Sequence, residues 1–119
     1  MFATRDEFKE FLNTCEVETV ILKFTATWCG PCKQIKQTVH SLNAHYESNK
    51  TSYLYFEIDI DECLDLYSFF KKRKMCNGVP SLLSFKKKTF KTDDYWVPYK
   101  GVTGANIPAI TQFYKSSLE

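Results

Sequence analysis

No stretch of this chain approaches the ~20 consecutive apolar residues that a membrane-spanning helix requires. It opens "MFATRDEFKEFLN", with an acid pair and an amphipathic spacing where a secretion signal needs an apolar block. It also lacks an excess of either charge. Sixteen Lys and Arg against fourteen Asp and Glu leave a net +2, too little to argue for nucleic acid or a membrane surface as partner. Five cysteines are an odd count, and without a sign of secretion they are not a disulfide scaffold. Internal repeats, low-complexity segments and linkers are missing too. What remains is a chain of 119 residues, 44% hydrophobic and 16% aromatic. The expectation is one domain, 1–119, large enough to bury a core without staples and residing in a reducing compartment, the cytoplasm.

The segments alternate. Thr4 to Glu7 reads as a capping box, and Phe8, Phe11 and Leu12 then fall on one helical face that ends near Cys15. "TVILKFTA" (19–26) is β-branched and apolar except for Lys23, which suits a strand covered on both faces. Beyond Gly30 and Pro31, the positions Ile35, Val39, Leu42 and Tyr46 recur at helical spacing, and Pro31 requires that this helix begin at the cysteines. "TSYLYFEIDI" (51–60) is a second strand, after which Asp61 is expected to cap a helix carrying Leu64, Leu66, Phe69 and Phe70. "VPSLLSF" (79–85) is a third strand, and a returning strand is expected between Phe90 and Tyr99. "GANIPAITQFYKSS" closes as a helix with Ile107, Ile110 and Phe113 inward. Strand, helix, strand, then hairpin and helix make an α/β fold.

Cys29 and Cys32 carry the chemistry. A tetrahedral zinc site needs four ligands, and Cys15, Cys63, Cys76, His40 and His45 supply no second close pair, so no metal is expected. A permanent structural disulfide is out of place in a reducing compartment. A reversible one has a physical case. The first cysteine sits at a helix N-terminus, where unpaired N–H groups and the helix dipole favour a thiolate. An ordinary thiol of pKa ~8.5 is only a few per cent ionised at neutral pH, whereas one lowered to ~7 is about half ionised. The second cysteine, one turn on, is better shielded yet near enough to attack a mixed disulfide on the first.

"FTATWCGPCK" resembles the active-site segment of the thioredoxin family, and the likeness continues through "IKQTVHSL", "FEIDIDEC", "VPSLLSFKK" and "TGAN", in the family's order. The resemblance implies a central mixed sheet flanked by helices. It also implies a protein-disulfide reductase that binds no cofactor and acts on disulfide-containing client proteins. A thioredoxin reductase would recharge it with electrons from NADPH. Carried over by residue, Cys29 resembles the nucleophile and Cys32 the resolving thiol. Gly30 and Pro31 resemble the dipeptide that tunes reducing strength, and Trp28 the ring beside the site. Val79–Pro80 matches the family's cis-proline, with Val79 expected to pair with a substrate strand. Gly101 or Gly104 would complete the groove.

The chain also departs from that pattern. Only 1–3 precede the first helix, so the family's N-terminal edge strand is expected to be absent or vestigial. The 52–58 strand would then be an edge, giving a monomer with a weak tendency to dimerise. Gln37 replaces a proline that usually kinks the active-site helix. The buried acid six residues before the nucleophile is Lys23 here, and the alignment sets Glu57 beside it, exchanging the ends of a family ion pair. The expectation is a Lys23–Glu57 contact that supports proton transfer from Cys32. Cys63 matches a position where animal cytosolic thioredoxins carry an extra cysteine, making it a candidate regulatory thiol. "KKRK" (71–74) and "KKK" (86–88) read as a solvated helix end and a hairpin tip. Two rival functions stay open: an oxidase or isomerase resembling protein disulfide isomerase, and a binding subunit whose cysteines are incidental.

Overall fold

Thr4 starts the first helix, α1 (Arg5–Thr14), by accepting the Glu7 N–H at 3.2 Å, while the Glu7 carboxylate returns to the Thr4 hydroxyl at 3.3 Å. In the computed structural model, which describes residues 2–119, seven further regular elements follow. They are β1 (Thr19–Thr25), α2 (Gly30–Ser48), β2 (Tyr53–Asp59), α3 (Leu64–Lys72), β3 (Ser81–Lys86), β4 (Lys100–Thr103) and α4 (Ile107–Leu118). The sheet order is β2-β1-β3-β4. β1 runs parallel to β2 and antiparallel to β3, and β3 is antiparallel to β4, so the sheet is mixed.

Alternation along β1 divides the core. Val20, Leu22 and Phe24 join Phe8, Phe70 and Phe85 under α1 and α3. Ile21 joins Ile35, Val39, Ile110 and Tyr114 under α2 and α4. Lys23 shares the face of Ile21. The Tyr53 and Tyr114 hydroxyls both donate to Asn43 Oδ1, at 2.7 and 3.0 Å, which ties β2 and α4 to α2. α2 continues unbroken through Gln37. Among the described residues no strand precedes α1. Met1 lies outside them, and Phe2 packs instead against Phe8, Phe11 and Phe56. β2 is accordingly one edge of the described sheet.

Three expectations are corrected. The returning strand lies at Lys100–Thr103, not within 90–99, and begins as the Tyr99 N–H donates to Ser84 at 2.7 Å. The intervening residues make two short 3-10 turns because their aromatics fold onto the α1–α3 side, Tyr95 stacking on Phe69 with centroids 5.6 Å apart. α3 starts at Leu64 with Cys63 in the capping position, so Asp61 caps nothing. Ile107 is exposed rather than inward, because it is the first residue of α4 and burial begins one turn later at Ile110; Leu64, the first residue of α3, is exposed as well, ahead of buried Leu66. "KKRK" does end a helix in solvent, with Arg73 lying 3.8 Å over the Phe69 ring.

Candidate active site

β1, β2 and β4 run in the same direction, so the helices that follow them (α2, α3 and α4) all begin at one pole of the sheet. Cys29 stands there as the N-cap of α2, in extended conformation, and its sulfur accepts the Cys32 N–H at 3.1 Å. The helix therefore presents one of its unpaired N–H groups to the Cys29 sulfur, which is where a thiolate needs a donor. Gly30 and Pro31 are the first two helical residues, and Pro31 is tolerated because no intrahelical bond needs its nitrogen. Cys29 and Cys32 are joined in a disulfide with Cα atoms 5.3 Å apart.

Cys29 was expected to be plainly the more exposed of the two. In this oxidised pair both are covered, at 4% and 3% exposure. Their surroundings distinguish them instead. The Cys29 sulfur lies 3.8 Å from the Val79 carbonyl oxygen, and the Val79–Pro80 peptide bond is cis. The Pro80 carbonyl accepts the Gly104 N–H at 2.9 Å, and Ser81 Oγ reaches Thr103 Oγ1 at 2.9 Å. Gly104, at φ +101°, adopts a backbone that favours glycine. Of the two candidate glycines, then, Gly104 adjoins Pro80. Gly101 lies on β4 opposite Leu83, where a Cβ would come within 3.0 Å of the Leu83 side chain. Trp28 is 65% exposed, and its Nε1 donates to Asp61 Oδ2 at 2.9 Å. Sequence reasoning missed Asp61 as the anchor of Trp28 because it had been given to a helix cap.

Cys32 borders a cavity of about 370 Å³ that is also lined by Lys23, Lys36, Glu57 and Asp59. Parallel register sets Lys23 opposite Glu57, and Nζ lies 3.7 Å from Oε1. The Lys23 side chain is 3% exposed and that of Glu57 is 51%, so the pair bridges the interior and solvent. Burial pulls the Lys23 pKa below its ordinary value, and Glu57 works against that pull. Asp59 was not singled out from the sequence. Its signal was the period-two spacing from Glu57, which puts both acids on one face of β2.

Cys63 is buried, and burial first, then Glu62 and Asp59, push its thiol upward. Cys76 is buried as well, with its thiol pushed up to about 11. Both trends oppose reactivity. His40 and His45 face outward. Among the described residues no group of three or more His, Cys, Asp or Glu could hold a metal, and no helix is long and apolar enough to cross a membrane.

The Thioredoxin family model matches residues 1–103. A thioredoxin of Callithrix jacchus is 37% identical over 84 residues, which are 71% of this chain and 72% of that protein. The thioredoxin of Homo sapiens is 36% identical over 84 residues, with the same coverage of 71% and 72%. The crystal structure of a reduced Schistosoma mansoni thioredoxin pre-protein superposes with a TM-score of 0.69 at 22% identity, covering 99% of this chain and 95% of that one. That last likeness speaks to the fold.

Proposed function

The chain belongs to the thioredoxin family and is a dithiol–disulfide oxidoreductase, and we propose that it works as a reductase of client proteins, with residues 1–119 acting as one domain. The observation that carries this reading is the position of the Cys29 sulfur, which caps α2 and accepts the Cys32 N–H. In the reduced protein Cys29 is the thiolate. It attacks one sulfur of a client disulfide, breaks that S–S bond and releases the first client thiolate. Cys32 then loses its proton and attacks the Cys29 sulfur. The mixed disulfide breaks, the second client thiolate leaves and takes up a proton, and the Cys29–Cys32 bond forms. Two electrons pass from the dithiol to the client.

The client lies along Trp28, Gly30, Pro31 and Pro80, with the Val79 backbone pairing with its extended chain and Gly104 closing the groove. Lys23 and Glu57 support the second step. Glu57, or a water it holds, accepts the Cys32 proton, and the Lys23 ammonium steadies the thiolate that forms. Cys63 stays outside this cycle as a slow regulatory thiol, because reaction there needs the start of α3 to open. A thioredoxin reductase drawing on NADPH returns the disulfide to the dithiol. The setting is the reducing cytoplasm, and the working form is a monomer that dimerises weakly through the β2 edge.

Insulin reduction with NADPH and candidate reductases tests this directly. Turnover is expected for the wild type and none for Cys29→Ser. Client binding that persists without turnover in the wild type would favour an adaptor. Oxidation of reduced clients in preference to reduction would favour the isomerase-like alternative.

A further inference from the structure

Three exposed apolar side chains gather at one pole of the sheet, the pole of the dithiol. Of the large hydrophobic residues left exposed, Trp28, Leu64 and Ile107 stand at 65%, 62% and 45%, and all three belong to the dithiol pole. Each occupies the same structural position, the turn by which a helix begins after one of the co-directional strands: Trp28 after β1, Leu64 after β2, Ile107 after β4. Leu64 lies three residues beyond Asp61, the anchor of Trp28. Ile107 lies three residues beyond Gly104, which is bonded to Pro80. The two therefore flank the dithiol from opposite sides. At the other pole Val97 is 51% exposed, and Tyr99, 37% exposed, is surrounded by Lys86, Lys88 and Lys100, whose ammonium groups lie 5.5 to 6.0 Å from its ring.

Helix starts ordinarily carry polar residues, since their N–H groups face water. A Leu and an Ile there gain nothing from folding while they stay in solvent, and they gain once apolar surface covers them. The exchange reaction itself fixes what covers them. A client cysteine must reach the Cys29 sulfur, so the polypeptide on either side of that cysteine has to cross this rim.

We propose that Leu64 and Ile107 are specificity-determining contacts that select clients whose disulfide cysteine is flanked by bulky apolar residues. The proposal rests on the reductase reading and adds the client class to it. Polar-flanked cysteines meet the same dithiol but leave both side chains wet, so they react from a weaker encounter complex.

The test uses the reduced full-length protein and two synthetic disulfide peptides, one with Leu and one with Ser on either side of the cysteine. 2-Hydroxyethyl disulfide serves as a substrate too small to reach the rim. Single-turnover oxidation of the dithiol is followed by alkylation and mass. The wild type is expected to prefer the Leu peptide by about tenfold, from partial burial of two aliphatic side chains. In Leu64→Ser/Ile107→Ser the preference falls to about twofold or less, while the rate with hydroxyethyl disulfide stays unchanged. Both substitutions are at exposed helix starts, and unchanged hydroxyethyl disulfide reduction also certifies the fold. Equal rates for the two peptides in the wild type overturn the proposal. So does a preference that survives in the double variant. Failure of the wild type to reduce hydroxyethyl disulfide would instead strike the reductase reading, and the proposal would fall with it.

Discussion

The two sulfurs of one disulfide meet different environments, one toward β3 and the other toward β2. On the β3 side the Cys29 sulfur faces backbone: the Val79 carbonyl at 3.8 Å, Pro80, and Gly104 bonded to Pro80. On the β2 side Cys32 borders the cavity of about 370 Å³ with charged walls, Lys23 and Glu57 among them. Backbone can pair with a client chain of almost any sequence, and ionisable side chains can accept or steady a proton. On the proposed mechanism this difference separates the two half-reactions in space, with attack organised from β3 and β4 and resolution from β2. Substitutions should then affect one step and spare the other.

The largest effect is expected from Cys32→Ser. Attack by Cys29 should continue while resolution stops, so client proteins accumulate as mixed disulfides that survive denaturing gels and are released by reductant. Rapid release from that variant would mean that resolution does not depend on the β2 side. Next comes Glu57→Gln, expected to slow mixed-disulfide release about tenfold, below the roughly hundredfold or more that a fully positioned proton acceptor contributes. Because Glu57 is half exposed, water can replace part of its function, which keeps the effect below the usual range. Pro80→Ala sharpens the other half. Removing the ring beside the dithiol should weaken protein-client reduction about fivefold and leave small-disulfide reduction near the wild-type rate.

The smallest effect concerns stability. Lys23→Met keeps the stem and removes a charge that is costly to bury, so the variant should be more stable by about 1 kcal/mol at neutral pH. The sign with pH follows from the lowered Lys23 pKa. Below the ordinary lysine value of ~10.4, the unfolded chain binds this proton more readily than the folded one. Approaching that value, wild-type stability recovers relative to Lys23→Met, and the gap between the two should close. Paired urea titrations at neutral and alkaline pH measure it. A gap that widens with pH would show that the folded state holds the Lys23 proton more tightly than water does.

The two sides were also unequally legible in the sequence. "WCGPCK" behind a β-branched run located the dithiol, because Gly, Pro and Cys constrain the backbone directly, and the family resemblance of "VPS" pointed to the loop against it. Lys23 and Glu57 could be paired because the resemblance to the thioredoxin family aligns them, and the parallel register and 3.7 Å separation fit that pairing. Sequence failed where side chains compete for the same surface. The 90–99 segment mixes turn and strand signals, and burying Tyr95 against Phe69 outweighed extension. Leu64 and Ile107 fit an apolar helical pattern, but a pattern cannot tell the first residue of a helix from the second turn. Asp61 read as a cap because the helix start was misplaced, and the same error concealed its bond to Trp28.

The most direct measurement crosses the two sides in one experiment. Reduced wild type, Glu57→Gln and Pro80→Ala are mixed with a chromophoric protein disulfide under single-turnover conditions, and formation and decay of the mixed disulfide are timed separately. Glu57→Gln should slow decay alone, and Pro80→Ala should slow formation alone. If either variant slows both phases in equal proportion, attack and resolution are not divided between the two sides of β1.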